Sequence, residues 1–452
     1  MGDRISRTSN RGSTSSEWGS LYFGIPTVTI ERCNFKFNKI NLHTVKKAAT
    51  YLTLMKDLLK SCILSLGTLF ILDFPSPLFA QNQLLTTALR EEIFPRQPRH
   101  VHGSSLVALP NGDLLAVWFQ GSGERTADDV VLMGSRKTKT STTWSAPFLM
   151  ADTPGIPDCN PVLFLNGKNE LFLIWIAVLG NRWEQSILRV RRSLEYFSQG
   201  PPTWHWQDNI LLKPGDDFAE EVKLKFKDLP VSNLAWAEYA PAYERMIHEA
   251  SMDTKKRSIG WMTRIKPLVE SNRIVLPLYS DGFNFSLMAI SEDEGNTWFP
   301  SKPLVGKGPI QPALARRKNG EIVAMLRDSG DGPARIQQSI SKDNGITWTV
   351  AQKTGFPNTA SVELLTLKDG RWWMIGNDIS NGRYRLALWI SSDEGKSWSA
   401  PHYLENDQSK SGSFSYPSLI QDSSGKVHLS YSSHLPKGKT IQYLQLDPEK
   451  IN

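Results

Sequence analysis

Cysteine is scarce in this 452-residue chain. There are three, Cys33, Cys62 and Cys159, and only Cys159 lies beyond residue 80. An internal disulfide framework is therefore excluded from the main body, and a lone cysteine reads as a small buried hydrophobe. Long apolar runs are also missing. The most hydrophobic stretch, Ser61–Leu72, is too short to span a bilayer comfortably. Long basic blocks are absent as well. The formal charge is +7, but residues 1–80 hold ten Lys/Arg against five Asp/Glu, leaving about +2 for the rest, with no Lys/Arg block longer than three. That distribution argues against a nucleic-acid partner. No contiguous calcium loop or cofactor motif stands out, so no cofactor is expected. No long stretch in the second half reads as an amphipathic helix.

The N-terminal region reads as a leader. Lys56 and Lys60 precede the apolar run, the helix-breaking DFPSP follows, and Leu78-Phe79-Ala80 offers a small residue at a cleavage position. Met55 stands where such a signal should begin. The expected organisation is residues 1–54 as an over-extended start, 55–80 as a signal peptide and 81–452 as the mature domain. That domain would act outside the cytoplasm, secreted or periplasmic, without stable membrane insertion and as a monomer.

What the sequence has in quantity is turn and aromatic residues: 32 Gly, 27 Pro and 15 Trp. These suit many short strands joined by tight turns. The octamers SEDEGNTW, SKDNGITW and SSDEGKSW recur so that Asp293, Asp343 and Asp393 are 50 residues apart, as are Trp298, Trp348 and Trp398. Each follows an apolar strand. The Asp accepts hydrogen bonds from the amides of its own turn, the Gly supplies a positive φ, and the Trp packs on the sheet. Fainter copies end in Thr143-Trp144 and Thr203-Trp204. Asn-Gly, Asp-Gly and Ser-Gly hairpins alternate with the boxes. Units at about 101–150, 158–206, 225–300, 308–350, 359–400 and 413–447 predict an all-β, six-bladed β-propeller. The third unit is long, with an insertion around 236–258. A parallel β-helix would need a shorter repeat.

These Asp-boxes and their spacing resemble the sialidase (neuraminidase) superfamily, in its BNR-repeat branch, over about residues 95–447. The boxes are structural, so function rests on other residues. The resemblance implies an exo-acting glycoside hydrolase on a terminal acidic sugar, with an arginine clamp on the carboxylate, a tyrosine nucleophile and an acid on an early loop. Arg327, in IVAMLRDSGDG, takes the second-arginine position. Arg383, or less well Arg385, supplies another. Tyr416, in GSFSYPSLI, takes the nucleophile position. Asp128 or Asp129, in GSGERTADDVV, is the acid/base, with Asp129 preferred. Two positions depart from the family pattern. His102 falls near the first arginine's place, and Gln311 falls where a glutamate partners the tyrosine. Glu363 is the candidate substitute for that glutamate.

Each of these residues also has an ordinary reading as a strand or turn residue. Arg327 closes a strand, and Arg383 flanks an Asn-Gly turn. His100 and His102 alternate onto one strand face, but no third ligand appears at a supporting spacing, so no metal is expected. Trp372 and Trp373 read as packing. The partner is expected to be a glycan. The competing readings are a non-catalytic glycan- or protein-binding propeller, and a glycosidase or lyase acting on a non-sialic sugar.

Overall fold

A computed structural model describes residues 88–230 and 241–451, all within the compact unit Pro75–Asn452. The over-extended start and the signal peptide expected from the sequence lie outside the described residues. The body is a six-bladed propeller of four-stranded antiparallel sheets. A lone strand, β1 (Leu89–Glu92), comes first. Blade one is β2 (His100–Ala108), β3 (Leu114–Gly121), β4 (Val131–Lys137) and β5 (Phe148–Ala151). Blade two is β6 (Asp158–Leu165), β7 (Leu171–Val178), β8 (Ser186–Ser193) and β9 (Trp206–Asn209). Blade three is β10 (Leu268–Glu270), β11 (Arg273–Ser280), β12 (Phe285–Ser291) and β13 (Phe299–Pro300). Blade four is β14 (Pro309–Arg316), β15 (Ile322–Asp328), β16 (Arg335–Ser341) and β17 (Gln352–Pro357). Blade five is β18 (Glu363–Thr366), β19 (Trp372–Gly376), β20 (Arg385–Ser391) and β21 (His402–Asn406). Blade six is β22 (Ser413–Gln421), β23 (Val427–Leu435) and β24 (Gly438–Leu446), and β1 pairs with β24 to complete it.

The second strand of a blade is covered on both faces by neighbouring blades. β7, LFLIWIAV, is buried at every position, which is why it reads as an unbroken apolar run rather than an alternating one. Trp372 and Trp373 are likewise buried core residues.

The Asp-boxes form the outer hairpins between third and fourth strands. Asp293 accepts from Ser291 Oγ (2.8 Å), Thr297 N (2.8 Å) and Thr297 Oγ1 (2.7 Å). Asp343 and Asp393 repeat the pattern with Thr347 and Ser397. Gly295 has φ +89°, and a Cβ there would stand 2.7 Å from Phe172 of the preceding blade. Glycine is thus required both by conformation and by blade contact. The fainter copy in blade one keeps the bonds that close the hairpin behind the box: Ser135 Oγ donates to Ser145 O (2.8 Å) and Arg136 N to Ser145 Oγ (3.0 Å), as Ser339 Oγ does to Thr349 O (2.6 Å) and Ile340 N to Thr349 Oγ1 (3.0 Å).

The third blade begins at Leu268, not near 225. Two helices, α1 (Asp217–Phe226) and α2 (Pro241–Met252), fill much of the gap, so the second half does contain an amphipathic helix. Phe218, Val222 and Phe226 are buried at helical spacing on α1. Phe218 meets Trp261 and Phe283 edge-on, and those two rings stack at 5.7 Å. Among the described residues, no helix is long and apolar enough to cross a membrane.

Candidate active site

Four inner strands break register at one equivalent place. The shifts fall between His102 and Ser105, Cys159 and Val162, Ile310 and Ala313, and Ser415 and Ser418. Each contains a residue at positive φ: Gly103 (+62°), Asn160 (+51°), Gln311 (+55°) and Tyr416 (+56°). In three of them proline follows (Pro161, Pro312, Pro417), where its missing N–H costs no ladder bond. A bulge of this kind re-aims a side chain. A non-glycine residue held at positive φ costs about 1–3 kcal/mol and clusters at functional sites.

Tyr416 is the hub. Arg327 Nη1 donates to its hydroxyl at 3.2 Å. The guanidiniums of Arg264 and Arg383 lie 4.7 and 5.4 Å from its ring centroid. The His102 ring meets it edge-on at 4.1 Å, anchored by His102 Nδ1 against Ser432 Oγ at 2.8 Å. The buried Gln311 side chain neighbours both Tyr416 and Tyr279, with its Oε1 left without a hydrogen-bond partner among the described residues, and Asn160 Nδ2 donates to the Tyr279 hydroxyl at 3.1 Å. The structure therefore brings Tyr416, Arg327, Arg383, His102 and Gln311 together. Arg385 lies instead against Tyr384 and Tyr403.

Electrostatics separate the two phenols. Burial pushes Tyr416 up, but Arg327 and Arg383 outweigh it, and Tyr416 falls below the ordinary tyrosine range. Burial, the charge of Asp281 and Tyr416 itself push Tyr279 well above that range. Groups with separated acidities in one site are suited to separate roles. His102 is held neutral, chiefly by burial and then by His434 and Arg383.

The acidic residues fall differently from the sequence expectation. Asp129 is exposed and accepts from Ser122 N (2.9 Å), Ser122 Oγ (2.8 Å) and Arg99. Those bonds, Ser122 first, hold its carboxyl below the ordinary range. An ionised, committed carboxylate is a poor proton donor. Asp128 is also exposed and accepts from Asn181 Nδ2 at 3.2 Å. From the same β3–β4 loop it is Glu124 that shares the field of Arg383, Arg327 and Tyr416. Its burial raises it above the ordinary range against the pull of Arg125, Arg383 and Arg327. Asp281, just after β11, is exposed, and partial desolvation of its carboxyl raises it against Arg327 and Arg125. Glu363 is fully buried and pairs with Lys266 Nζ at 3.2 Å. It neighbours the charge of Arg264. Its burial outweighs Lys266 and Arg264 and raises its carboxyl.

Arg264, Glu124, Tyr279 and Asp281 were missed in the sequence. The recurring Asn-Pro, Gln-Pro and Tyr-Pro at the inner strands was the available signal for the ring of bulges. His100, His102 and His434 have ring centroids 5.3–5.9 Å apart, yet among the described residues no group of three potential ligands is arranged to hold a metal.

Six four-stranded blades, with Asp-box hairpins in three of them, define a BNR-repeat β-propeller. The chain belongs to the BNR repeat-like domain family, whose model matches residues 112–226 and 253–429. No curated protein sequence matches it. Solved structures share the fold. A protein of unknown function from Dyadobacter fermentans is similar at 16% identity and TM-score 0.58, over 80% of this chain and 99% of that one. The NanB sialidase of Streptococcus pneumoniae is similar at 12% identity and TM-score 0.57, over 80% and 71%. The intramolecular trans-sialidase of Ruminococcus gnavus is similar at 14% identity and TM-score 0.54, over 79% and 96%.

Proposed function

We propose that this protein is an exo-acting glycoside hydrolase, sialidase-like in mechanism, that releases a terminal acidic sugar through a covalent Tyr416 intermediate. The observation that carries the reading is Tyr416 itself, held at φ +56° and donated to by Arg327 at 3.2 Å. Arg327 and Arg383 favour its phenolate, which supplies a nucleophile without a carboxylate base beside it. Arg383 makes no side-chain hydrogen bond to the described residues, and Arg327 commits only Nη1. Their remaining donors suit a substrate carboxylate, which guanidinium grips as a fork.

Glu124, whose burial favours its protonated form, gives its proton to the glycosidic oxygen as that C–O bond breaks. Tyr416 Oη forms the new bond to the anomeric carbon. In the second step Glu124, now ionised, takes a proton from water. The water oxygen bonds to the anomeric carbon, Tyr416 departs, and the anomeric configuration is retained. The sialidases named above have the fold in common with this chain. The leader, with its basic start and apolar run, supports a secreted or periplasmic location, and the expected partner is a glycan.

One observation favours a second reading. Gln311, not a carboxylate, is the residue beside both Tyr416 and Tyr279. Paired phenols of opposite acidity also suit a lyase on a uronate, with Tyr416 as base. The test offers purified protein a fluorogenic α-sialoside beside uronic and neutral glycosides. Release of fluorophore with retention, abolished in Tyr416→Phe, supports hydrolysis. An unsaturated uronate product supports the lyase. Binding of glycans with no turnover refutes both.

A further inference from the structure

Beside the mouth of this site lies a cavity of about 540 Å³, within the range of small-molecule sites. Its apolar lining is Leu179, Met246, Ile247, Ala250, Ile259 and Phe283. Three of these are large hydrophobics left in solvent: Met246 is 54% exposed, Leu179 42% and Ile259 36%. Isolated exposed hydrophobics are ordinary, but several converging on one concavity mark a binding surface. Arg182, Lys255 and Lys256 line the same cavity with one lining acid, Glu184, which pairs with Arg182 at 3.8 Å and leaves the two lysines. The surroundings therefore favour a negative charge.

The cavity adjoins the catalytic cluster across a thin wall. Ser280 and Gly282 line it, and Asp281, which shares the field of Arg327 and Arg125, is the residue between them. A Cβ on Gly282 would stand 3.2 Å from Glu184 Cβ, so the two walls touch there. The wall between cavity and cluster is the β7–β8 connection. Its Trp183 lies under Arg125 at 5.6 Å, and its Asn181 donates to Arg125 O at 2.7 Å. The opposite wall is α2, from the helical insertion.

We infer that this groove is the subsite for the leaving group, and that it takes an apolar aglycone bearing an anionic substituent rather than a further neutral sugar. The assignment rests on the Tyr416 reading for its role, but not for its binding. A neutral sugar needs many fixed hydrogen-bond partners. This lining offers apolar surface with cations at its edge. A planar or acyl body fits the floor, and an acidic group on it meets Lys255, Lys256 or Arg182.

The experiment has two arms on the full-length protein. In the first, 8-anilinonaphthalene-1-sulfonate is titrated by fluorescence into wild type, Met246→Asp, Ile259→Asp, the double variant Lys255→Glu/Lys256→Glu, and Tyr416→Phe. Saturable one-site binding is expected. Each Asp variant should weaken it at least tenfold, the double variant should weaken it and flatten its salt dependence, and Tyr416→Phe should bind as wild type does. Circular dichroism and denaturation midpoints confirm that the surface variants are folded. Non-saturable binding, or equal binding by both Asp variants, overturns the groove.

In the second arm, one sugar that wild type cleaves is offered as its methyl glycoside and as its carboxyaryl glycoside. Met246→Asp should lower kcat/KM about tenfold for the aryl compound and leave the methyl glycoside unchanged. Equal losses on both overturn the aglycone role. If no glycoside of any kind is cleaved, the catalytic reading fails, and the first arm decides the groove without it.

Discussion

The sharpest test of the site is to remove one arginine and follow the acidity of one phenol. Arg327 Nη1 meets the Tyr416 hydroxyl at 3.2 Å. A hydrogen bond from a charged donor contributes about 1.5–3 kcal/mol net, and one pKa unit corresponds to about 1.4 kcal/mol. Arg327→Ala should therefore make Tyr416 a weaker acid, raising its pKa by about 1–2. Arg383 remains over the ring at 5.4 Å and should keep the phenol from returning fully to its ordinary value. Arg327→Lys keeps the charge but loses the fork, and should fall between. The assay is tyrosinate difference absorbance against pH, with the Tyr416→Phe titration subtracted so that one phenol is read. Stability gives a second readout. Because the folded phenol is more acidic than the unfolded one, the native state holds fewer protons between the two values, and stability rises with pH across that window. Arg327→Ala should flatten that rise. An unchanged Tyr416 titration in Arg327→Ala would refute the electrostatic activation on which the mechanism depends.

Three further outcomes follow from the structure. Glu124→Gln should cut hydrolysis by about 10²–10⁴-fold. It should also abolish the loss of wild-type activity that occurs as pH rises through the raised Glu124 value, read from the pH–rate profile; an equal profile in both proteins would return the acid role to another group. Gly295→Ala meets both a positive φ (+89°) and Phe172 at 2.7 Å, a combined cost of about 2–5 kcal/mol. Gly155→Ala meets a positive φ (+71°) and open space, and should cost only about 1–2 kcal/mol by chemical denaturation. Deleting residues up to Glu92 removes the β1–β24 ladder together with the Arg90–Glu405 and Lys137–Glu91 pairs, each at 2.6 Å. The exposed β24 edge should then lower the melting midpoint and promote self-association, measured by sedimentation.

The propeller was legible because its hairpins repeat chemistry at fixed intervals. Ser291, Asp293 and Thr297 form a closed local bond set that needs no distant partner, so short-range sequence suffices to find it. The closing strand was not legible. LREE is polar, and it becomes a strand only because the β24 edge offers it a ladder. The α1 pattern Phe218, Val222, Phe226 was present, but it falls almost wholly in the gap between the second and third expected units.

At the site, Tyr416, Arg327 and Arg383 came from motif position. Arg264 sits on the irregular segment between the helical insertion and β10, and no box fixes its register. Glu124 and Asp129 share one loop, and only the loop's path decides which turns toward Arg383 and which toward Arg99. That path is a tertiary property.

The joining of β1 to β24 also orders events during synthesis. Glu92 pairs with Gln442, about 350 residues later in the chain. At about 5–20 residues per second, the strand leaves the ribosome roughly 20–70 s before its partner exists. Five blades have every strand they need before then, but the ring cannot shut until the last strand is made. A prematurely terminated chain lacking β24 therefore leaves two open sheet edges, one at β23 and one at β1, and is marked as unfinished by its own geometry.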